Sequence, residues 1–153
     1  MTEFVISRMT VKNPDYAAET QRVFDQAPFI RALGVELLDF EPGSCDTQLL
    51  LTDQHLQQDG YVHAGVQATL ADHTAGMAAA TLIAPGQRVL TAEFKINLLR
   101  AASGARLRCK AVVLKPGRQL TVAESEVYCQ QGERNVLVAK ATVTLAVMDK
   151  PGS

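Results

Sequence analysis

The stretch that decides the fold is Gly60-Tyr61-Val62-His63-Ala64-Gly65-Val66-Gln67-Ala68-Thr69-Leu70-Ala71-Asp72-His73-Thr74-Ala75-Gly76-Met77-Ala78-Ala79-Ala80-Thr81-Leu82. It leads from a glycine-marked loop into an Ala-rich segment that is apolar on nearly every side, which is typical of a helix enclosed by other elements. Asp72 interrupts this apolar segment. Because a carboxylate removed from water is costly unless it is paired or protonated, we interpret Asp72 as a functional group. A packing role stays open, in which Asp72 bonds a neighbouring Thr or His.

Strand patterns lie on both sides of this predicted helix. Upstream, residues 29–41 and 44–51 are separated by Pro42-Gly43, which predicts a hairpin. An earlier short helix is predicted after Asn13-Pro14, with the proline at the first helical position. Downstream, turn residues divide the chain into four predicted strands, at residues 88–99, 105–115, 118–128 and 135–148.

The first of these downstream strands alternates polar and apolar residues. Thr91, Glu93, Lys95 and Asn97 fall on one predicted face, and Leu90, Ala92, Phe94, Ile96 and Leu98 fall on the other. This period of two is typical of a strand with one covered face.

A long apolar helix followed by antiparallel strands predicts an α+β fold in which the sheet wraps around the helix, because such a helix has no polar face for water. Residues 29–148 form the predicted domain. Residues 1–28 are an N-terminal segment with a short helix, and residues 149–153 are a tail.

Composition excludes several classes of function. The chain has 153 residues, of which 47% are hydrophobic and 20% charged, as expected for a single globular domain. The net charge of −1, with scattered basic residues, argues against nucleic acid or an anionic membrane as partner. Cys45, Cys109 and Cys129 lack metal-site spacing, so we predict no metal site and no disulfide framework. With no signal-like or membrane-spanning apolar run, the sequence predicts a cytoplasmic protein.

One motif resembles a known family. His63-Ala64-Gly65 followed by Leu70-Ala71-Asp72 is similar to the H-G-G-x(4)-L-A-D signature of the PaaI-like hotdog-fold thioesterases. Further similarity extends over residues 29–148 and includes Leu33-Gly34-Val35-Glu36-Leu37, Glu41-Pro42-Gly43, Ile96-Asn97-Leu98-Leu99-Arg100 and Lys115-Pro116-Gly117-Arg118. The resemblance implies a hotdog fold, with an antiparallel sheet around a long central helix.

The resemblance also implies hydrolysis of an acyl-CoA thioester, without a cofactor, in sites at a homodimer interface. Asp72 would act as nucleophile or as general base on water, and the Ala64 amide would polarise the thioester carbonyl. The sequence departs from the family pattern in two ways. Ala64 replaces the first glycine of the motif but keeps its N–H, and Gln57 or Gln58 stands where the family usually has an Asn before the histidine.

The residues themselves lead to the same chemistry. The first amides of a helix lack internal acceptors and lie at its positive end, so the Ala64 and Gly65 N–H groups suit an oxygen that gains negative charge. Asp72 lies eight residues further on, which is roughly 12 Å along a helix axis. One carbonyl group therefore cannot meet both residues of one chain. We therefore predict a two-fold dimer in which the central helices run antiparallel, and we expect the monomer to be inactive. Whether dimers pair further into tetramers stays open.

The remaining candidates carry weaker signals. His63 either bonds the substrate carbonyl or orients its loop, and His73 is structural or lines the pocket. Thr91 either places a hydroxyl near the attacking water or fills a strand position. Arg100, Lys115 and Arg118 lie at predicted strand ends or turns, where cationic side chains reach CoA phosphates.

Two other functions remain open at this point. A hotdog enoyl-CoA hydratase or dehydratase would use His63 and Asp72 as an acid–base pair. A non-catalytic acyl-CoA-binding module would bind the thioester without turning it over. The sequence motif favours the thioesterase, and it leaves the acyl group unassigned.

Overall fold

The computed structural model of the protein describes residues 9–153. Its elements in chain order are α1 (Tyr16–Asp25), α2 (Pro28–Leu33), β1 (Val35–Glu41), β2 (Ser44–Leu50), a short 3-10 helix (Asp53–His55), α3 (Ala64–Ala80), β3 (Gln87–Leu98), β4 (Arg106–Lys115), β5 (Leu120–Gln131) and β6 (Arg134–Asp149). Among these elements, no helix is long and apolar enough to span a membrane.

The six strands form one antiparallel sheet in the order β1-β2-β4-β5-β6-β3, and α3 contacts every one of them. Alternate residues of β4, β5 and β6 are buried on the face towards α3. This pattern arises because successive side chains of a strand point to opposite faces of the sheet. The predicted α+β hotdog fold, with a sheet wrapped around a long helix, is confirmed.

Buried hydroxyl groups fix α3 against the sheet. The Ser125 hydroxyl donates to the Ala71 carbonyl over 2.7 Å. The Thr74 hydroxyl bonds the Leu70 carbonyl at 2.6 Å and lies 2.7 Å from the hydroxyl of Thr47 on β2. These bonds hold the helix turn immediately before Asp72 at a defined height above the sheet.

The three cysteines are free and buried. Burial raises the pKa of the Cys45 and Cys109 thiols to about 12. Both thiols therefore stay protonated at neutral pH and are poor nucleophiles, as expected of structural cysteines.

The predicted strand at residues 29–41 begins too early, because its first part is the helix α2. Pro28 occupies the first turn of α2, and Gly34 ends it with a φ of 86°. A proline at the start and a left-handed glycine at the end are the usual bounds of a helix. The β-forming residues Phe29 and Ile30 obscured this signal, and the strand itself starts at Val35.

The start of α1 also differs from the prediction. Asp15 is the N-cap and Tyr16 the first helical residue, so Pro14 lies before the helix. The Asn13 side chain accepts a hydrogen bond from the Asp15 amide at 3.0 Å and forms a turn that delays the helix by two residues.

Candidate active site

One stripe of α3 is left uncovered by the sheet. Along it, Gly65 is exposed, and Ala68, Thr69, Asp72 and Gly76 are only partly buried. In a single copy of the chain, the sheet therefore does not cover α3 on every side. The edge strand β3 lies beside this stripe, and its apolar side chains Leu90, Phe94 and Leu98 are more than two-fifths exposed.

Asp72 receives a hydrogen bond from β3. The Thr91 hydroxyl donates to the Asp72 Oδ1 over 2.7 Å. This bond fixes the direction of the carboxylate and leaves Oδ2 available to another donor, since an ionised carboxylate has two acceptor oxygens.

A β-bulge turns Thr91 towards Asp72. Thr91 pairs with Leu145, but Glu93 pairs with Thr144, so Ala92 is an extra residue in β3. Because Leu145 is buried against α3, Thr91 shares the helix side of the sheet and Glu93 faces outward. The predicted face that grouped Thr91 with Glu93 is therefore wrong, since one inserted residue reverses the alternation.

Asp72 lies in a cleft of about 300 Å³, here called the carboxylate cleft. Its apolar wall includes Phe29 and Ile30 of α2 and Phe94 of β3. His73 also lines it, and its ring packs against Phe24 with the ring centroids 5.5 Å apart. Burial lowers the pKa of His73 to about 4, so its imidazole is neutral at physiological pH, as suits a structural or pocket-lining residue.

The other end of the uncovered stripe is the N-terminus of α3, which His63 caps. The Gly65 amide donates to the His63 Nδ1 over 2.8 Å. Since Nδ1 accepts this bond, the neutral ring carries its proton on Nε2 and presents an N–H donor away from the helix. A Cβ at residue 65 would lie 3.0 Å from Nδ1, so glycine gives the ring the room that this cap needs.

The first amides of α3 consequently differ in availability. The Gly65 N–H already donates to His63, so its predicted role as an oxyanion donor would require this bond to be shared or broken. Among residues 9–153, the Ala64 N–H donates to no acceptor. The exposed Ala64 amide and the His63 Nε2–H are therefore the donors that this helix end offers.

These donors line a second cleft, of about 470 Å³, which we call the amide cleft. Gln57, Gln58 and Arg100 lie in the same walls as His63 and Ala64. The Gln57 Oε1 accepts a hydrogen bond from the Asp59 amide and shapes the loop, while its side-chain NH₂ has no acceptor within the described part of the chain. The Gln58 NH₂ donates to Asp59 at 3.2 Å. Gln57 is better placed than Gln58 to donate to a ligand, because Gln57 is half-buried with an unused NH₂ group, whereas Gln58 is exposed and its NH₂ group is already bonded.

A single copy of the chain keeps the two clefts apart. His63, Ala64, Gln57 and Gln58 line the amide cleft, whereas Asp72 lines the carboxylate cleft. Asp72 lies eight positions beyond Ala64 on one unbroken helix. The spacing argument made from the sequence therefore also holds in the folded chain, where Ala64 and Asp72 line different clefts.

The basic candidates are also divided between the two ends of the sheet. Arg100 follows β3 beside the amide cleft, and its guanidinium donates to the Leu137 carbonyl at 3.0 Å. Lys115 and Arg118 are exposed at the β4–β5 turn, roughly 20 Å away along the strands. Within one copy the three cations do not form a single phosphate site.

A further depression, of about 450 Å³, lies between α1 and the loop that follows α3. Three of its charged groups are already paired, because Glu19 bonds both Arg22 and Lys150 at 2.7 Å. Hydrogen bonds from Arg22 and then Lys150 lower the pKa of Glu19 to about 2. None of the predicted site residues lies there. Within the described residues, no group of three His, Cys, Asp or Glu side chains could hold a metal ion.

Sequence reasoning missed three wall residues. Phe29 and Ile30 of the carboxylate cleft fall within the predicted strand at residues 29–41, although the helical spacing of Ile30 and Leu33 indicates a helix. Gln67 of the amide cleft looked like an ordinary interruption of an apolar helix, although it is only 3% exposed. A buried glutamine in the first turn of a helix needs hydrogen-bond partners, and that was the signal.

Comparison with known proteins adds independent information. Residues 59–136 match the thioesterase superfamily. A 1,4-dihydroxy-2-naphthoyl-CoA hydrolase from Listeria monocytogenes is 27% identical over 113 residues, which is 74% of this chain and 91% of that protein.

Two solved structures share the fold. A thioesterase family protein from Silicibacter pomeroyi superposes with a TM-score of 0.86 at 34% identity, covering 88% of this chain and 99% of the other. A thioesterase from Haemophilus influenzae superposes with a TM-score of 0.79 at 20% identity, covering 95% and 100% of the two chains. The first likeness extends to sequence, and the second concerns the fold alone.

Proposed function

Because the chain belongs to the thioesterase superfamily and is a thioester hydrolase, we propose that it hydrolyses an acyl-CoA thioester to a free acid and CoA. The observation that carries this proposal is the pair of half-sites on α3. One offers a carboxylate held by Thr91, and the other offers an N–H donor at a helix N-terminus. Acyl transfer needs both kinds of group, one for attack and one for the oxyanion.

The complete site forms when two copies associate. If β3 of one copy lies beside β3 of its two-fold mate, the two α3 helices run antiparallel, and the carboxylate cleft of each copy meets the amide cleft of the other. The apolar residues of β3 and the open stripe of α3 would be covered in this way. A two-fold axis then produces two equivalent sites.

In such a site Asp72 acts on the thioester carbonyl carbon. As a general base it takes a proton from water, whose oxygen bonds that carbon while the carbonyl oxygen becomes an oxyanion. The Ala64 amide and the His63 Nε2–H donate to this oxyanion. When the intermediate collapses, the carbon–sulfur bond breaks, and the thiolate leaves and is protonated. Direct attack by Asp72 would instead form an anhydride, which water then hydrolyses.

The acyl group lies in the carboxylate cleft on this proposal. Phe29, Ile30 and Phe94 give it an apolar and partly aromatic wall. The Listeria relative is named for a bicyclic aromatic acyl-CoA. Aromatic acyl-CoA thioesters are therefore the first substrates to test.

CoA would leave the site through the amide cleft. Arg100 lies at this cleft, and antiparallel pairing would bring Lys115 and Arg118 of the mate to the same side of the dimer. Guanidinium and ammonium groups at such an exit suit the phosphates of CoA.

A thiol-release assay over a panel of aromatic and aliphatic acyl-CoA thioesters tests the proposed function. We expect free CoA to appear with at least one aromatic member. In parallel, the absorbance of an enoyl-CoA reports hydration. Loss of enoyl absorbance without thiol release would support the hydratase instead, and binding without turnover of any thioester would support the non-catalytic module.

A further inference from the structure

Gln67 is a buried amide with one unused hydrogen-bonding atom. It lies in the first turn of α3, is 3% exposed, and forms part of the wall of the amide cleft. Its NH₂ donates to the Val62 carbonyl at 3.5 Å. Its Oε1 is buried and has no donor among residues 9–153.

The orientation of this amide follows from its partner. The Val62 carbonyl can only accept, so the NH₂ group must face it, and Oε1 must face the other way. A buried carbonyl oxygen without a donor destabilises the folded protein, because the oxygen has lost its hydrogen bonds to water and has gained none in return. Gln67 therefore requires an N–H or O–H group that the described protein does not supply.

The position of Gln67 relative to Ala64 identifies that group. Residues three apart on a helix are neighbours, with about 5–6 Å between their Cβ atoms. A thioester carbonyl bonded to the Ala64 amide has the first amide of a pantetheine arm close by, since only two methylene groups separate its nitrogen from the sulfur. This arm runs through the amide cleft, which Gln67 lines.

We infer that Gln67 is a specificity-determining residue whose Oε1 accepts the N–H of the pantetheine amide nearest the thioester sulfur. Gln67 thereby selects thioesters of CoA, and of any other pantetheine carrier, over thioesters of simple thiols. It also fixes the distance between the arm and the Ala64 amide. This inference rests on the proposed function and extends it to the leaving group.

Two short thioesters with the same acyl group separate this role from packing. One carries N-acetylcysteamine, which keeps the amide N–H, and the other carries 2-mercaptoethyl acetate, which has an ester oxygen at that position. For the wild-type protein, we expect kcat/KM for the amide arm to exceed that for the ester arm by at least about tenfold, because a site that bonds a donor rejects an analogue lacking it. In Gln67→Met this ratio should fall to nearly one.

Gln54→Met is the matched control, since Gln54 is exposed on the 3-10 helix, and it should keep the wild-type ratio. A wild-type ratio near one would overturn the inference even if Gln67→Met does not fold, and a high ratio that persists in Gln67→Met would overturn it too, because another group would then recognise the amide. Equal kcat/KM values for the two arms would overturn it and leave Oε1 to an internal water. If no CoA thioester is hydrolysed, it is the proposed function that fails.

Discussion

Asp72→Asn is expected to lower kcat by at least about a hundredfold, because the carboxylate is the proposed nucleophile or general base. Asparagine has nearly the same shape, and its carbonyl oxygen still accepts the hydrogen bond that Thr91 donates over 2.7 Å. The neutral amide cannot take a proton from water. We therefore expect the fold to be retained while turnover is lost.

Thiol release from the best acyl-CoA substrate measures this effect, and the thermal unfolding midpoint checks the fold. Asp149→Asn carries the same substitution at an exposed position at the end of β6, so its kcat should match the wild type. Near-normal turnover by Asp72→Asn would remove Asp72 from the mechanism and return it to the packing role.

Ala64→Pro is the second large effect, with an expected fall in kcat of about 10²–10³-fold, as when one oxyanion donor is removed. Proline has no N–H, and Ala64 is the first residue of α3, where proline is well tolerated. His63, directly before it, has a φ of −60° and a ψ of 137°, which suits a residue that precedes proline. The substitution should therefore delete one donor and leave the helix start intact.

The companion variant for this experiment is Ala64→Gly, which keeps the amide and loses only a methyl group. Its fall in kcat should stay below about tenfold, because the proposed role belongs to the backbone. Equal losses in the two variants would mean that the side chain at residue 64 matters and that the amide does not. Circular dichroism of both proteins checks that α3 is retained.

Much of the fold could be predicted because its signals are local. The apolar segment after Gly60 gave the central helix, and Pro–Gly pairs and other turn residues separated the strands. α2 was missed because Phe29 and Ile30 favour strands, whereas its bounds depend on Pro28 and the left-handed Gly34. A short helix of this kind has little periodicity to reveal it.

The sequence predicted which residues are candidates for the site better than it predicted how they are arranged. The motif identified Asp72, His63 and Ala64 as candidates. The rise of a helix per residue then predicted that Ala64 and Asp72 lie too far apart to meet one carbonyl group. The bulge at Ala92 could not be seen in the sequence, because an inserted residue changes which face Thr91 occupies without changing the composition of the strand. The use of the Gly65 amide by His63 likewise depends on a side-chain rotamer that spacing does not determine.

The central claim is that each site takes Asp72 from one copy of the chain and the Ala64 amide from the other. Co-expression of Asp72→Asn and Ala64→Pro with two different tags, followed by tandem purification, isolates mixed dimers. In these dimers, one site has both groups intact and the other has neither.

Thiol release per mixed dimer is the most direct measurement of this claim. The account predicts recovery to about half the wild-type activity, since one of two equivalent sites is complete, while each parent homodimer stays nearly inactive. Mixed dimers no more active than their parents would contradict it, because that result means that both groups must come from the same copy.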